Sequence, residues 1–152
     1  ARNLIDEGTN FTELVKKTKE KINDINLHFI VKTLKYLKKG GRIGMVKGTL
    51  GELFNIKPII SINDEGEYYT VDKARRRKSS INKLYEIAKK RINKGLCFVD
   101  VMHANAEKEA SELLNRIKEL KNVKETVLGE ISPAMVVHAG PGLIGVCVTS
   151  VY

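Results

Sequence analysis

The sequence is poor in cysteine, and that scarcity excludes two kinds of small protein. Cys97 and Cys147 are the only thiols, and both sit in apolar runs, so neither a disulfide framework nor a zinc ligand set can be assembled. Long hydrophobic runs are missing too: stretches such as Leu143 to Val148 fall far short of a bilayer span. The opening Ala1-Arg2-Asn3-Leu4-Ile5-Asp6 has no basic region, apolar stretch and cleavage site, which makes the cytoplasm the expected compartment. There is no internal repeat and no low-complexity tract. Aromatic residues are 6% of the chain, and none interleaves with its one basic cluster. That removes the stacking platform a single-strand nucleic-acid binder needs.

What is present reads as one globular unit. With 42% hydrophobic and 30% charged residues, a chain of this length buries roughly two-thirds of its unfolded surface around a substantial core. A formal charge of +9 invites a basic nucleic-acid-binding α/β domain, since clustered Lys and Arg displace counterions from phosphates. That remains the alternative reading. Most lysines, Lys16, Lys17, Lys19, Lys83, Lys89 and Lys118 among them, are spread along amphipathic helices where a solvated face explains them. Only Lys73 to Lys78 is a true cluster.

The pattern predicts a mixed sheet of about six strands with packed helices. Leu4 and Ile5 followed by Gly8 read as the end of a helix that begins upstream. Asn10 and Glu13 have capping-box spacing before the stripe Phe11, Leu14, Val15, Thr18, Ile22 and Ile25. Leu27 to Val31 reads as a strand, Thr33 to Leu37 as a short helix ended by Gly40-Gly41, and Gly48 to Asn55 as another short helix. Ile59 to Ile62 and Tyr68 to Val71, split by Asn63-Asp64-Glu65-Gly66, read as a hairpin. A βαβ rhythm follows: a helix through Ile81, Leu84, Ala88 and Ile92, a strand Leu96 to Met102, a helix through Ala110, Leu113 and Ile117, and a strand Val123 to Leu128. Ala134 to Val137 and Gly145 to Val151 are expected as the last strands, joined by a tight turn at Gly140-Pro141-Gly142.

That turn matches the dinucleotide pattern G-x-G-x-x-G over Gly140 to Gly145. The fingerprint must open a helix and be followed by an acidic residue, whereas here strand-like residues run to the last position. Gly140 and Gly142 are better read as points of close backbone approach to a neighbour or ligand. His138, placed at a strand end, can donate a hydrogen bond to an anion. No second ligand at metal spacing and no G-x-S-x-G elbow accompany it, so neither a metal site nor a catalytic set is expected. Arg42 lies between glycines and carries a fork that fits carboxylate or phosphate, although an exposed loop arginine explains it equally. Arg75 and Arg77, on alternate strand positions, are expected on one side with Arg76 opposite. Lys57 is held extended by Pro58. The apolar residues around it, including Phe54, Ile59 and Ile60, suit either a core or a groove for an alkyl chain.

Four ordered segments carry a family resemblance. Leu34 to Ile43 follows LxYLxxGGRI, Leu53 to Ile60 resembles LLxIKPIL, Lys73 to Lys78 follows KxRxRK, and Val137 to Gly142 follows xHxGPG. Together they resemble the second half of DegV-type fatty-acid-binding proteins. The resemblance implies a two-domain α/β carrier that buries a long-chain fatty acid and needs no cofactor. It implies a non-catalytic subunit that presents the carboxylate to a separate fatty-acid kinase for acyl-phosphate formation. Residues 1–26 would then be the end of an upstream helix and an inter-domain helix, and residues 27–152 the C-terminal lipid-binding domain, with the N-terminal domain missing. On this resemblance His138 lies near the carboxylate, while Arg42 and Arg75 help form the face presented to the kinase or headgroup. Lys57, Ile59, Phe54, Gly140 and Gly142 complete the expected ligand-binding set.

Overall fold

The computed structural model describes residues 2–49 and 56–151. Its elements in chain order are α1 (Arg2–Asp6), α2 (Phe11–Ile22), β1 (Asn26–Ile30), α3 (Lys35–Lys39), a 3₁₀ helix (Gly44–Thr49), β2 (Lys57–Ile62) and β3 (Tyr68–Ala74). Then come α4 (Arg77–Ile92), β4 (Cys97–His103), α5 (Glu107–Lys118), β5 (Val123–Glu130), α6 (Pro133–Ala139) and β6 (Ile144–Ser150). The strands form one six-stranded sheet in the order β3-β2-β1-β6-β4-β5. Only β4 and β5 run parallel, joined by the crossover helix α5; the β1–β2, β1–β6, β2–β3 and β4–β6 pairs are antiparallel. The expected mixed α/β sheet of six strands is therefore the fold.

Side-chain alternation divides the sheet into two unlike faces. Cys97, Val99, Val101 and His103 of β4 are buried, while Phe98, Asp100 and Met102 between them are only half-buried. The buried set faces α4 and α5. There Ile30, Ile59, Leu84, Ile92, Val99, Val101, Leu113 and Ile144 form one core cluster, and each large side chain fully buried contributes about 1.5–3 kcal/mol. On the other face α3, the 3₁₀ helix and α6 cover one end of the sheet through a second cluster that includes Phe29, Leu37, Val46, Ile60, Ala139 and Leu143.

Local chemistry accounts for most boundaries. Asn10 caps α2, its side-chain oxygen accepting from the Glu13 N–H at 3.0 Å. The hairpin closes where the Asn63 side chain accepts from the Glu67 N–H at 2.7 Å and Gly66 adopts φ +80°. The stripe of α2, by contrast, meets no core: none of its residues is buried, and Phe11 and Ile22 are 79% and 63% exposed. Its C-terminal end is latched instead by Asp24, which accepts from the Ser150 N–H and hydroxyl at 2.7 and 2.8 Å and also pairs with Arg91.

Two expectations are corrected, and a third falls mostly outside the described residues. Ala134 to Val137 is helix, not strand: Pro133 stands at the first helical position, where its fixed φ favours helix and its missing N–H costs nothing. Gly140-Pro141-Gly142 consequently joins a helix to a strand. Arg75 and Arg77 do not share a strand face, because β3 ends at Ala74 and Arg77 opens α4. The helix expected over Gly48 to Asn55 lies mostly outside the described residues, as does Phe54; the described part, Gly44–Thr49, is 3₁₀.

Candidate functional site

The sheet face away from α4 and α5 holds an apolar trough. Leu27 and Phe29 of β1, Gly145 and Cys147 of β6, and Met102 of β4 form its floor by the period-two rule, and Met135 and Ala139 of α6 lie along it. Ile62, Tyr68, Ile131 and Leu143 complete the lining, so no charged side chain contributes. The cavity measures about 170 Å³, below the roughly 300–1,000 Å³ of pockets that enclose a whole small ligand. Gly145 gives the trough its depth. A Cβ built there comes no nearer than 3.5 Å to any neighbour, so the missing side chain leaves usable space. Burial pushes the Cys147 thiol above its ordinary value, which keeps it a neutral, apolar wall.

His138 sits beside the trough on α6 and faces α3. At about 100° per residue, Met135 and Ala139 share the face toward the trough and His138 turns from it toward Gly40. A Cβ on Gly40 would lie 2.7 Å from His138 Nδ1, so only glycine admits the imidazole there. That Nδ1 is buried and has no hydrogen-bond partner among the described residues. The Gly40 carbonyl accepts from the Arg42 guanidinium at 2.6 Å. Gly40 thus brings together His138 and Arg42, two residues remote in sequence.

The glycines after α6 serve the chain's own packing. Gly140 has φ +81°, and a Cβ on it would come within 2.3 Å of the Tyr36 ring. Gly142 has φ +86°, and a Cβ there would meet the Lys32 side chain at 2.8 Å. The Gly142 N–H donates to the Ala104 carbonyl at 2.6 Å and the Ala104 N–H to the Leu143 carbonyl at 3.0 Å, which fixes the approach to β6. The neighbours these glycines admit are therefore Tyr36 and Lys32.

The remaining expected residues lie elsewhere. Ile59 is 0% exposed in the cluster beneath α4, on the opposite face from the trough, because its cross-strand partner Ile30 points that way. It is core rather than groove wall. Lys57 spends its ammonium on the Lys32 carbonyl at 2.7 Å, tying the start of β2 to the end of β1. Arg75 is exposed just beyond β3, whereas Arg42 lies with Gly66, Glu67 and Tyr68 at that strand's other end. The seven residues of β3 hold those ends about 20 Å apart, so the two arginines do not converge. Arg77 is withdrawn from the cluster by a two-pronged bond to Glu109, at 3.0 and 2.8 Å, which holds the Glu109 carboxyl below its usual range. A three-arginine phosphate clamp is therefore not available. Among the described residues no group of three His, Cys, Asp or Glu could hold a metal ion, and no helix is long and apolar enough to cross a membrane.

The trough residues Leu27, Phe29, Met102, Met135 and Cys147 had not been singled out as site residues. Alternation within β1, β4 and β6 carries the signal, but only the strand order shows that these three lie side by side.

Comparison with known proteins places this geometry. A profile of the DegV family, described as uncharacterised, matches residues 1–151. A DegV domain-containing protein of Clostridium acetobutylicum is 49% identical over 143 residues, which are 93% of this chain and 51% of that protein. A DegV domain-containing protein of Clostridium perfringens is 38% identical over 97% of this chain and 53% of its own length. The crystal structure of a fatty-acid-binding DegV family protein from Streptococcus agalactiae matches with TM-score 0.86 and 26% identity, over 98% of this chain and 53% of that one. A stearic-acid-binding protein from Eubacterium ventriosum matches with TM-score 0.84 and 27% identity, over 97% and 52%. The chain spans about half the length of the relatives it matches.

Proposed function

The chain belongs to the DegV family, and from that membership we propose that it forms one half of a fatty-acid-binding site. The observation that carries the proposal is the uncharged trough on the sheet's open face, with His138 and Arg42 meeting at Gly40 beside it. A fatty acid asks for this division: apolar surface for the tail, where each buried methylene contributes about 0.8 kcal/mol, and a few donors at one end for the carboxylate.

The small volume of the trough fits a half-site. The rest of the cavity would come from an N-terminal domain of the kind that the relatives' greater length allows. The exposed stripe of α2, with Phe11 and Ile22 in water, is the natural inter-domain surface. In this reading the protein is a carrier without chemistry of its own. A separate kinase would phosphorylate the bound carboxylate to an acyl phosphate, docking on the exposed basic residues Arg42 and Arg75.

Native mass spectrometry after detergent-free purification, followed by solvent extraction, tests the proposal on a full-length polypeptide carrying both halves and on the 152-residue chain. Stoichiometric fatty acid is expected on the former. Gly145→Val should fill the trough, displacing about two methylenes and weakening binding roughly tenfold with little change in unfolding midpoint. A full-length protein that carries no acyl chain and takes up none when offered saturated and unsaturated acids overturns the assignment.

A further inference from the structure

We infer that Gly129, which does not itself line the trough, keeps it open by holding the Met102 side chain to one side, and so sets the length of acyl chain the trough accepts. The inference rests on the half-site reading and deepens it. Met102 of β4 stands on the open face between two glycines: its cross-strand partner on β5 is Gly129 and on β6 is Gly145. Paired residues point to the same face, so Met102 has bare backbone on both sides where other residues would have neighbouring side chains. The two sides are not equally occupied. A Cβ on Gly129 would stand 3.0 Å from Met102 Cε and 3.1 Å from its Sδ, whereas the nearest atoms to a Cβ on Gly145 belong to Phe29, His28 and Leu143, at 3.5 Å and beyond. The thioether therefore lies over Gly129, and the space over Gly145 is left to the trough.

Glycine inside a strand weakens it, and it marks either an unusual backbone conformation or a close approach. Gly129 does not lie in the left-handed region, so its backbone makes no demand for glycine. The demand comes from Met102, whose tip approaches more closely than a Cβ at position 129 would allow. The chemistry of methionine makes this a setting rather than a fixed wall. Its side chain is unbranched, with three rotatable bonds, so the tip changes sides without moving the backbone. Met102 already lines the trough. Turned from Gly129 toward Gly145, its Sδ and Cε would fill the room of about two methylenes, a large share of a cavity of about 170 Å³. Gly129 is thus a positioning residue, which acts on the ligand only through Met102.

Gly129→Ala, Met102→Ala and the double variant test the inference. Alanine adopts the Gly129 backbone without strain and Met102 is only half-buried, so all three should fold. The chain has three methionines, and the Met102 ε-methyl resonance is the one that Met102→Ala removes. In the wild-type chain that methyl should show a nuclear Overhauser contact to the Gly129 Hα protons; in Gly129→Ala the contact should pass to Gly145. Full-length polypeptides carrying both halves are then offered an equimolar mixture of lauric, myristic, palmitic and stearic acids and read by native mass spectrometry. Gly129→Ala should shorten the preferred acid by about two carbons and weaken the acid the wild type prefers about tenfold. The double variant should restore the wild-type preference or pass to longer acids. A methyl that stays over residue 129, or a chain-length profile unchanged by Gly129→Ala, overturns the inference and leaves the fatty-acid reading standing. A shortened profile that the double variant does not restore overturns it as well, since the alanine would then act through β5 rather than through Met102. A wild-type polypeptide that takes up none of the acids overturns the fatty-acid reading and this inference with it.

Discussion

The two faces of the sheet are made by the same strands and have opposite fates. On the α4–α5 face, Ile30, Ile59, Val99, Val101 and Ile144 are at 0% exposure. On the other, Ile62 and Val127 remain 38% and 47% exposed beside a trough of similar character. An apolar strand face needs a cover, and only one of these two is fully covered within the described chain. The closed face is therefore core along its length, while the open one is core under α3, the 3₁₀ helix and α6 and stays apolar and partly exposed beside the trough. Residues adjacent in sequence, such as Val101 and Met102, are thus assigned to different faces by parity.

The largest expected effect breaks the closed face. Leu84→Ala removes a fully buried α4 side chain from that cluster and should cost about 3 kcal/mol in chemical denaturation. A variant within 1 kcal/mol of wild type, on the same estimate, would show that face to be loosely packed. Smaller, and on the other side, is Gly140→Ala. Its φ of +81° is hostile to a Cβ, which would also strike Tyr36, so a loss of about 2 kcal/mol is expected. Because this turn ends α6 and lies away from α4, hydrogen exchange should rise over Pro133–Ala139 and stay unchanged in α4. Equal loosening of both would sink the idea that the two faces are separate units.

How much of this was legible in the sequence depends on how local the cause is. The Asn10 cap and the Asn63–Gly66 turn are settled within a few residues and lie where the pattern put them, and the strand expected over Leu96 to Met102 is found at Cys97–His103. Residues 134–137 form a short apolar run whose periodicity suits strand or buried helix alike, and Pro133, the deciding residue, acts through a position preference easily read as a turn. Arg77 was grouped with its basic neighbours because its partner Glu109 is brought to it only by the packing of α5 beside α4. The trough was hidden for the same reason. Leu27, Cys147 and Met102 adjoin only because β6 inserts between β1 and β4, a fact no window of sequence contains. The histidine and glycines of the Val137 to Gly142 segment were visible as unusual, but their neighbours Gly40, Tyr36 and Lys32 were not.

The smallest expected effect sharpens the comparison most, because His28 on the closed face and Asp100 on the open one are perturbed so that stability changes with pH in opposite directions. His28 is 8% exposed on the closed face, paired across the strands with Val146; burial lowers its pKa below the ordinary 6.5. As pH falls through 6.5 the unfolded chain takes up a proton that the fold refuses, so stability drops until the lowered folded pKa is passed. Asp100 is on the open face, half-buried beside Cys147. Burial, and secondarily the Glu125 charge, raises its pKa above the ordinary 3.8. Here the fold holds its proton more tightly than the unfolded chain, so stability is lost as pH rises from 3.8 through the raised value. Urea denaturation across pH 4 to 8 should therefore show His28→Leu flattening the decline below pH 6.5, while Asp100→Asn stabilises near neutrality by under about 1 kcal/mol. Anything that covers the open face should enlarge the second effect and leave the first alone, since it would desolvate Asp100 further while His28 is already enclosed. An added domain or ligand that shifted both equally would mean that the faces communicate through the sheet, and the division between a stabilising face and a binding face would have to be abandoned.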